Sequence, residues 1–232
     1  MDLVFDWSGQ FALGTLMTVQ LALGALALGL LLGLAGATAK LSKDPVARAL
    51  ANIYTSIVRG IPELLIVLII YFGSSGALTA LAEFLGYENT YVELSPYVAG
   101  VLALGFMFGA YATEVFRGAI IAIPKGQTEA AQAFGMGSWL TFRRITLPQV
   151  WRIALPGLGN LFLVLMKDTA LVSVIGLNEI LRVSSIAAQA TKDTTTFYSV
   201  ALVIFLLLTI VTMRGQARAE RWARRGMPSN TG

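Results

Sequence analysis

The sequence predicts an all-α membrane protein with five membrane-spanning helices. Of its 232 residues, 56% are hydrophobic and only 13% are charged, which is too little charge to solvate a soluble domain of this length. The mean hydropathy is +0.72, and apolar runs of roughly 20 residues, the length that crosses a bilayer, recur along the chain. We therefore expect a single transmembrane domain over residues 1–232 and no soluble domain.

Residue types that the chain lacks exclude several classes of protein. It has no cysteine and no histidine, which excludes disulfides, Cys/His metal sites and Ser-His-Asp catalysis. It also has no G-x-x-x-x-G-K-[ST] phosphate loop, so we expect it not to hydrolyse ATP and not to be an enzyme. We predict no metal and no cofactor in this chain. We attribute the net charge of +4 to cytoplasmic Lys and Arg rather than to nucleic-acid binding.

Five apolar segments are predicted to cross the membrane. Their residue ranges are 11–39, 63–72 with an extension to about 81, 96–116, 155–177 and 196–213. A weakly amphipathic segment, residues 46–58, precedes the second span, and Arg59-Gly60-Ile61-Pro62 interrupts the chain between them. The charged pair Lys167-Asp168 interrupts the fourth span.

Lysine and arginine are distributed unevenly between the two sides that five spans create. Thirteen of them lie in residues 40–48, in residues 117–152 and after residue 213, whereas residues 74–95 and 178–193 together contain two. Because Lys and Arg concentrate in cytoplasmic loops, we predict an outside N-terminus and a cytoplasmic C-terminus. The basic tail at residues 214–232, with Trp222 among its arginines, is expected to lie at the membrane surface.

Residues 123–150 form a basic loop that contains a fixed pattern. The pattern reads E-A-A-x₃-G-x₉-I-x-L-P and consists of Glu129, Ala130, Ala131, Gly135, Ile145, Leu147 and Pro148. Residues 127–134 favour a short helix, and Gly135 favours the left-handed conformation that ends a helix. Residues 139–145 are predicted to form a second short helix with Ser138 as its N-cap, before Pro148 breaks the chain again. We therefore predict a compact helical knob.

This pattern resembles the EAA loop of permease subunits in ATP-driven (ABC) importers. Over roughly residues 11–225, the chain resembles the permeases of polar amino-acid importers, and most of all the histidine/lysine/arginine/ornithine type. The other matching strings are Arg59-Gly60-Ile61-Pro62-Glu63, Gly109-Ala110-Tyr111, Thr113-Glu114-Val115-Phe116-Arg117-Gly118, Ile123-Pro124-Lys125-Gly126 and Lys167-Asp168-Thr169-Ala170-Leu171.

The resemblance implies a permease with the type I ABC importer fold in the bacterial inner membrane. The EAA loop would dock onto a separate ATPase subunit that holds ATP and Mg²⁺. The complex would contain two permeases, identical or paralogous, two ATPases and a periplasmic binding protein. The substrates would be polar amino acids, with arginine, ornithine, lysine, histidine or related opines favoured. Alternatives are a glutamine/glutamate-type importer, and a secondary carrier or channel, which would not need an EAA loop.

Ionisable residues at membrane depth are candidates for the substrate pathway, because a charge at the centre of a membrane helix costs about 2.5–3.5 kcal/mol on insertion scales. The candidates, including two neighbouring hydroxyl groups, are Asp168, Glu114, Lys167, Arg59, Glu63, Thr169 and Ser173. In one interpretation Asp168 faces the pathway and holds a cationic substrate, while Lys167 pairs with another helix. In the other, both are structural ions.

The remaining candidates also have two interpretations each. Glu114 lies three residues before Arg117, which permits an ion pair, and it either attracts basic substrates or anchors the neighbouring loop. Arg59 and Glu63 flank a helix break, which either lines a cavity or gate or only sets a kink. The hydroxyl groups of Thr169 and Ser173 either meet the substrate or satisfy their own backbone.

Overall fold

The structure, a computed structural model, describes residues 2–87 and 93–223, and these residues contain helices and turns but no β-strand. The elements are α1 (Asp2–Asp6), α2 (Ser8–Lys40), α3 (Pro45–Gly60), α4 (Glu63–Phe84), α5 (Pro96–Ile121), α6 (Lys125–Ala133), α7 (Ser138–Thr141), a π-helical turn (Phe142–Thr146), α8 (Leu147–Asp168), a 3₁₀ helix (Thr169–Ile175), α9 (Ile180–Thr191) and α10 (Thr194–Ala223). Residues 224–232 of the predicted basic tail lie outside the described part.

Five helical runs in the described residues are long and apolar enough to cross a membrane. They are α2, α4, α5, the continuous run Ser138–Ile175 and α10. The prediction of an all-α chain with five spans is therefore confirmed. The helices extend beyond the predicted ranges, and α10 continues to Ala223 although its apolar segment ends near residue 213. Apolar residues mark the part of a helix that meets lipid, whereas Ala, Arg and Glu continue the same helix into water.

The fourth span begins earlier than the sequence predicts. The expected start is residue 155, but α8 begins at Leu147. Pro148 is the second residue of α8, and the π-helical turn Phe142–Thr146 joins α8 to α7 without interrupting the helical run, so the predicted break at Pro148 is wrong. At Lys167-Asp168, where the charged pair is predicted to interrupt the span, the run changes from α-helix to 3₁₀ helix but does not stop.

Residues 178–193 lie between the fourth and fifth spans, as predicted, and they contain the short helix α9, which the sequence does not predict. Gly176 ends the preceding 3₁₀ helix with a φ of +91°, and Glu179 caps the next helix. One face of α9 packs with α2 and α10 in a cluster formed by Phe11, Val183, Ala187, Ala188 and Phe197. The twelve residues of α9 are too few to span a membrane, and no run of apolar residues reveals them.

Helices α2 and α5 form the centre of the core and run in the same direction. Their contacts advance together along both helices, from Gly24 against Val101 to Gly33 against Ala112. A Cβ added at Gly33 would lie 2.6 Å from the Cβ of Ala112, so the two backbones approach at a distance that only glycine permits. In lipid the hydrophobic effect does not drive helices together. Small residues stabilise helix packing there, because they permit close approach and extensive van der Waals contact.

We expect Gly33→Ala to destabilise the protein by roughly 1–3 kcal/mol, because the added methyl group forces α2 and α5 apart. Gly73→Ala is the matched control, since Gly73 lies inside α4 with no atom within 4 Å of an added Cβ. There alanine should be neutral or add up to about 1 kcal/mol through its helix propensity. Thermal unfolding of the purified proteins in detergent measures both. Equal shifts for the two variants would contradict the packing argument.

Candidate coupling surface and translocation cavity

The EAA pattern folds into two helical pieces that meet at a glycine turn. Helix α6 ends at Ala133, and Gly135 then adopts a φ of +78°, which confirms the predicted left-handed turn. The Gly135 N–H donates to the Gln132 carbonyl, and the Met136 N–H donates to the Ala131 carbonyl. These two bonds form a Schellman motif, which satisfies carbonyl groups that the end of α6 leaves unpaired.

The second piece begins differently from the prediction. Gly137, with a φ of −65° and a ψ of 160°, holds the N-cap position of α7, and Ser138 is the first helical residue, so the predicted Ser138 cap is wrong. Helix α7 continues through the π-helical turn into α8, so the second piece of the knob is the start of the fourth span. The knob is therefore rigidly connected to the transmembrane region.

The knob exposes large apolar side chains. Phe134 is 89% exposed and Trp139 is 71% exposed, and Trp139 stacks on Phe142. Of the pattern residues, Glu129, Ala130, Gly135 and Pro148 are exposed, Ala131 is buried, and Ile145 and Leu147 are half-buried. Exposed aromatic side chains next to small residues are typical of a surface that a protein partner covers.

Glu63 and Asp168 meet at a cavity of ≈ 210 Å³. The Asp168 carboxyl lies within hydrogen-bonding reach of the Glu63 carboxyl, and Lys167 supplies a positive charge to Asp168. The other lining residues come from α5 and α8, and they are Leu104, Met107, Phe108, Tyr111, Leu161, Val164 and Leu165. Two carboxyl groups therefore line a small cavity whose walls are otherwise apolar, apart from the hydroxyl group of Tyr111.

The predicted helix break places Arg59 and Glu63 near this cavity. Helix α3 ends at Gly60, and Ile61 is extended with a φ of −102° and a ψ of 141°, as a residue before proline usually is. Helix α4 then begins at Glu63. The exposed Arg59 guanidinium lies 5.5 Å from the centre of the Tyr111 ring. Tyr111, which is not among the predicted site residues, thus lines the cavity with Glu63 and Asp168 and also lies under Arg59. Lys167 is exposed and does not line the cavity.

The two hydroxyl candidates lie just beyond the cavity, in the 3₁₀ helix. Thr169 is buried, and its hydroxyl donates to the Met166 carbonyl over 2.8 Å, so it satisfies its own backbone. Ser173 is half-buried one turn further along the 3₁₀ helix. Neither residue lines the cavity that holds Asp168.

Glu114 lies apart from this cavity, in a cluster of charges on α2 and α5. The Lys40 ammonium donates to one carboxylate oxygen, and the Arg117 guanidinium donates to the other over 2.9 Å. The predicted pair with Arg117 is confirmed. Because two cations hold the Glu114 carboxylate, it fastens the end of α2 to α5 close to the knob.

Comparison with known proteins identifies the family. Residues 25–225 match the family described as "Binding-protein-dependent transport system inner membrane component". The chain belongs to this family. The predicted resemblance is confirmed, and the chain is a multi-pass membrane permease of a binding-protein-dependent transport system rather than an enzyme.

The permease is similar to several named proteins over nearly its whole length. It is 48% identical to the nopaline transport system permease protein NocQ of Agrobacterium fabrum, over 96% of this chain and 94% of the relative. It is 41% identical to the histidine/lysine/arginine/ornithine transport system permease protein HisQ of Salmonella typhimurium, over 90% of this chain and 91% of the relative.

Solved structures share the fold of this permease. The crystal structure of an amino acid ABC transporter with histidines matches with a TM-score of 0.78 and 31% identity, over 94% of this chain and 96% of that chain. An inward-facing structure of the MetNI methionine ABC transporter matches with a TM-score of 0.73 and 18% identity, over 95% of this chain and 99% of that chain. The predicted ABC importer permease fold is therefore confirmed.

Glu179 is a buried acid of the permease that the sequence analysis missed. Its side chain is 0% exposed, and its two carboxylate oxygens accept hydrogen bonds from the backbone N–H groups of Leu181 and Arg182. Burial raises the pKa of the Glu179 carboxyl to about 7, against the two N–H donors, which favour the charged form. An acid three residues after Gly176 and directly before a helix was the signal that could have revealed this cap.

We expect Glu179 to make the stability of the permease depend on pH. Because its folded-state pKa is about 7 and its ordinary value is 4.5, the folded protein holds a proton that the unfolded chain releases between these values. Stability therefore decreases as the pH rises through this window, by roughly 3 kcal/mol at most. Glu179→Gln retains one acceptor oxygen and cannot titrate. The stability of this variant relative to the wild type should therefore increase between about pH 5 and about pH 8. Thermal unfolding at several pH values measures this, and parallel profiles would contradict it.

Proposed function

We propose that this permease is the membrane subunit of an ATP-driven importer of basic amino acids or related opines. The observation that carries the proposal is the pair of carboxyl groups, Glu63 and Asp168, in an otherwise apolar cavity within the spanning helices. A cationic side chain that leaves water needs a nearby carboxylate, because an unpaired charge in an apolar environment is strongly unfavourable. The names of the relatives, which include nopaline, histidine, lysine, arginine and ornithine, support this substrate class.

A second candidate substrate class is a neutral or acidic amino acid of the glutamine/glutamate type. Lys167 opposes the charge of Asp168, and the Arg59 guanidinium lies over the ring of Tyr111, which lines the same cavity. If both carboxylates were neutralised in this way, the cavity would favour the amino and carboxyl groups that all amino acids share. A transport assay with substrates of different charge separates the two classes.

The knob is the proposed docking site for the ATPase. Its exposed Phe134 and Trp139 offer an apolar surface, and the continuous path from α7 to α8 connects that surface to Asp168. Movement of an ATPase against the knob would thus reach the cavity through a single helical run. We further propose two permeases per complex, identical or paralogous, two ATPases that bind ATP and Mg²⁺, and a periplasmic binding protein, in the bacterial inner membrane.

Reconstitution tests the proposed function. The permease would be co-expressed with the ATPase, binding-protein and second permease genes that neighbour its own, and ATPase activity would be measured with each amino acid in turn. Stimulation by arginine, ornithine, lysine or histidine is expected. Stimulation by glutamine or glutamate alone would favour the second substrate class. Uptake without any ATPase would favour a carrier or channel.

The orientation of the permease is a further prediction. The excess of Lys and Arg in residues 40–48, 117–152 and after 213 predicts that the knob and C-terminus face the cytoplasm. Reporters that are active only in the cytoplasm should work when fused after Gly126 or Ala223 and fail when fused after Tyr87. Residue 89, in the middle of the predicted outer loop, lies outside the described residues. A cytoplasmic signal after Tyr87 would contradict the proposed orientation.

A further inference from the structure

A long apolar groove runs along the permease between α2 and α10, with α8 as its floor. It consists of two adjoining cavities of ≈ 720 and ≈ 330 Å³, which share Leu30 and Trp151. One end of the groove lies at Phe162 and Leu26. The other end, which we call the open end, lies at Trp222 and Arg152. Neither α3 nor α4, which carry the predicted gate residues, contributes a lining residue. The groove is therefore separate from the cavity that holds Glu63 and Asp168.

The length and chemistry of this groove match those of one lipid leaflet. Along α8, Trp151 and Phe162 are eleven residues apart, which corresponds to about 16 Å of helix. Half of a bilayer's hydrocarbon core is about 15 Å thick. Between these two residues the walls are almost entirely apolar. The groove can therefore hold an acyl chain over the full depth of one leaflet.

The open end of the groove has the features of a membrane surface. Trp151 and Trp222 line it with exposed side chains, and tryptophan concentrates at the boundary between lipid and water. Arg152 lines the same end and is exposed. Arg214, Arg218 and Arg221 belong to the last turns of α10 but do not line the groove. Glu220, the acid in these turns, accepts a hydrogen bond from Gln216 over 2.9 Å. Among the residues that line the open end, Arg152 carries a charge, and it is positive.

We propose that this groove binds an anionic phospholipid of the membrane. One acyl chain lies along α8 between α2 and α10, and the phosphate lies at Arg152, next to Trp151 and Trp222. Basic pockets between membrane helices are a common form of anionic-lipid site. Leu147 and Pro148, the last residues of the EAA pattern, line the same end of the groove. The bound lipid thus contacts the junction between the coupling knob and α8, where it can affect coupling.

Tryptophan fluorescence provides a direct test, because Trp151 and Trp222 are two of only four tryptophans. Trp7 and Trp139 would be replaced by phenylalanine, and the purified protein would be titrated with phosphatidylglycerol brominated on its acyl chains, which quenches nearby tryptophan. Brominated phosphatidylcholine serves as the uncharged comparison. We expect severalfold stronger apparent binding of phosphatidylglycerol. Equal quenching by the two lipids would overturn the proposal.

Two variants locate the lipid in the groove. Arg152→Gln should remove most of the preference for phosphatidylglycerol, whereas Arg182→Gln, an exposed arginine on α9, should leave it unchanged. Gly215 lines the groove, and no atom lies within 4 Å of an added Cβ, so the side chain of Gly215→Leu should extend into the groove and reduce quenching by both lipids severalfold. Unchanged quenching in Arg152→Gln and Gly215→Leu would overturn the proposal.

The tail of the chain is the competing occupant of the groove. If residues 224–232 occupied it, their deletion would increase quenching by both lipids severalfold, and that result would also overturn the proposal. If a lipid occupies the groove, the deletion should reduce the phosphatidylglycerol preference or leave it unchanged. All of these measurements read binding, so they do not depend on the proposed substrate or on transport.

Discussion

Replacing Gly135 with valine is expected to reduce substrate uptake by the assembled transporter at least about tenfold, while the permease still inserts in the membrane. Gly135 has a φ of +78°, a region that costs residues with a Cβ roughly 1–2 kcal/mol, and β-branched residues more. No atom lies within 4 Å of a Cβ added there, so the strain is entirely in the backbone. Relief of that strain breaks the two hydrogen bonds that join α6 to the turn and misplaces Phe134 relative to Trp139.

Gly137→Val is a closely matched control for this substitution. Gly137 lies two residues further along the same turn and has equally open surroundings, but its φ of −65° and ψ of 160° are those of extended backbone. Valine adopts that conformation readily, so uptake should remain near the wild-type level. Uptake of radiolabelled arginine, membrane content by immunoblot and co-purification of the ATPase would be measured together. Normal uptake by well-expressed Gly135→Val would rule out a coupling role for the turn.

Replacing Asp168 with asparagine is expected to weaken transport of basic amino acids about 10- to 100-fold. Truncation of one partner in a buried charge pair costs about 2–5 kcal/mol, and the remaining Glu63 carboxyl retains part of that interaction. Asparagine has the shape of aspartate, so the cavity should persist while one negative charge is lost. The measurement is apparent affinity and rate for arginine in reconstituted vesicles, with protein content and basal ATPase activity as references.

Glu114→Gln provides the matched control for charge. Glu114 is also a carboxylate within a spanning helix, but Lys40 and Arg117 already hold it, and it does not line the cavity. Its substitution should reduce stability or coupling and leave the apparent affinity for arginine unchanged. If Asp168→Asn and Glu63→Gln both retain wild-type affinity, then the cavity does not recognise a cationic substrate. In that case selectivity would lie in the binding protein, or the substrate would not be cationic.

The features that depend on local chemistry can be predicted from the sequence. Long apolar runs identify the spans, because lipid admits only apolar residues over that length. Gly135 identifies the left-handed turn, because few other residues adopt that backbone conformation. Pro62 identifies the break after α3, because it restricts the residue before it. The pair of Glu114 with Arg117 also follows from spacing on one helix. The family follows from the EAA pattern for the same reason, since its fixed positions are close in sequence.

Contacts between residues that are distant in sequence depend on how the helices pack. Glu63 and Asp168 belong to different helices and share a cavity only because α4 and α8 both pack on α5. Helix α9 and the buried Glu179 were missed, because the helix is short and an acid carries no sign of burial until α2 covers it. From the sequence Pro148 predicts a break, since only the path of the preceding turn shows that Pro148 lies at the start of α8. The groove between α2 and α10 has no signature in sequence, because a gap between helices depends on how they are spaced and not on any one of them.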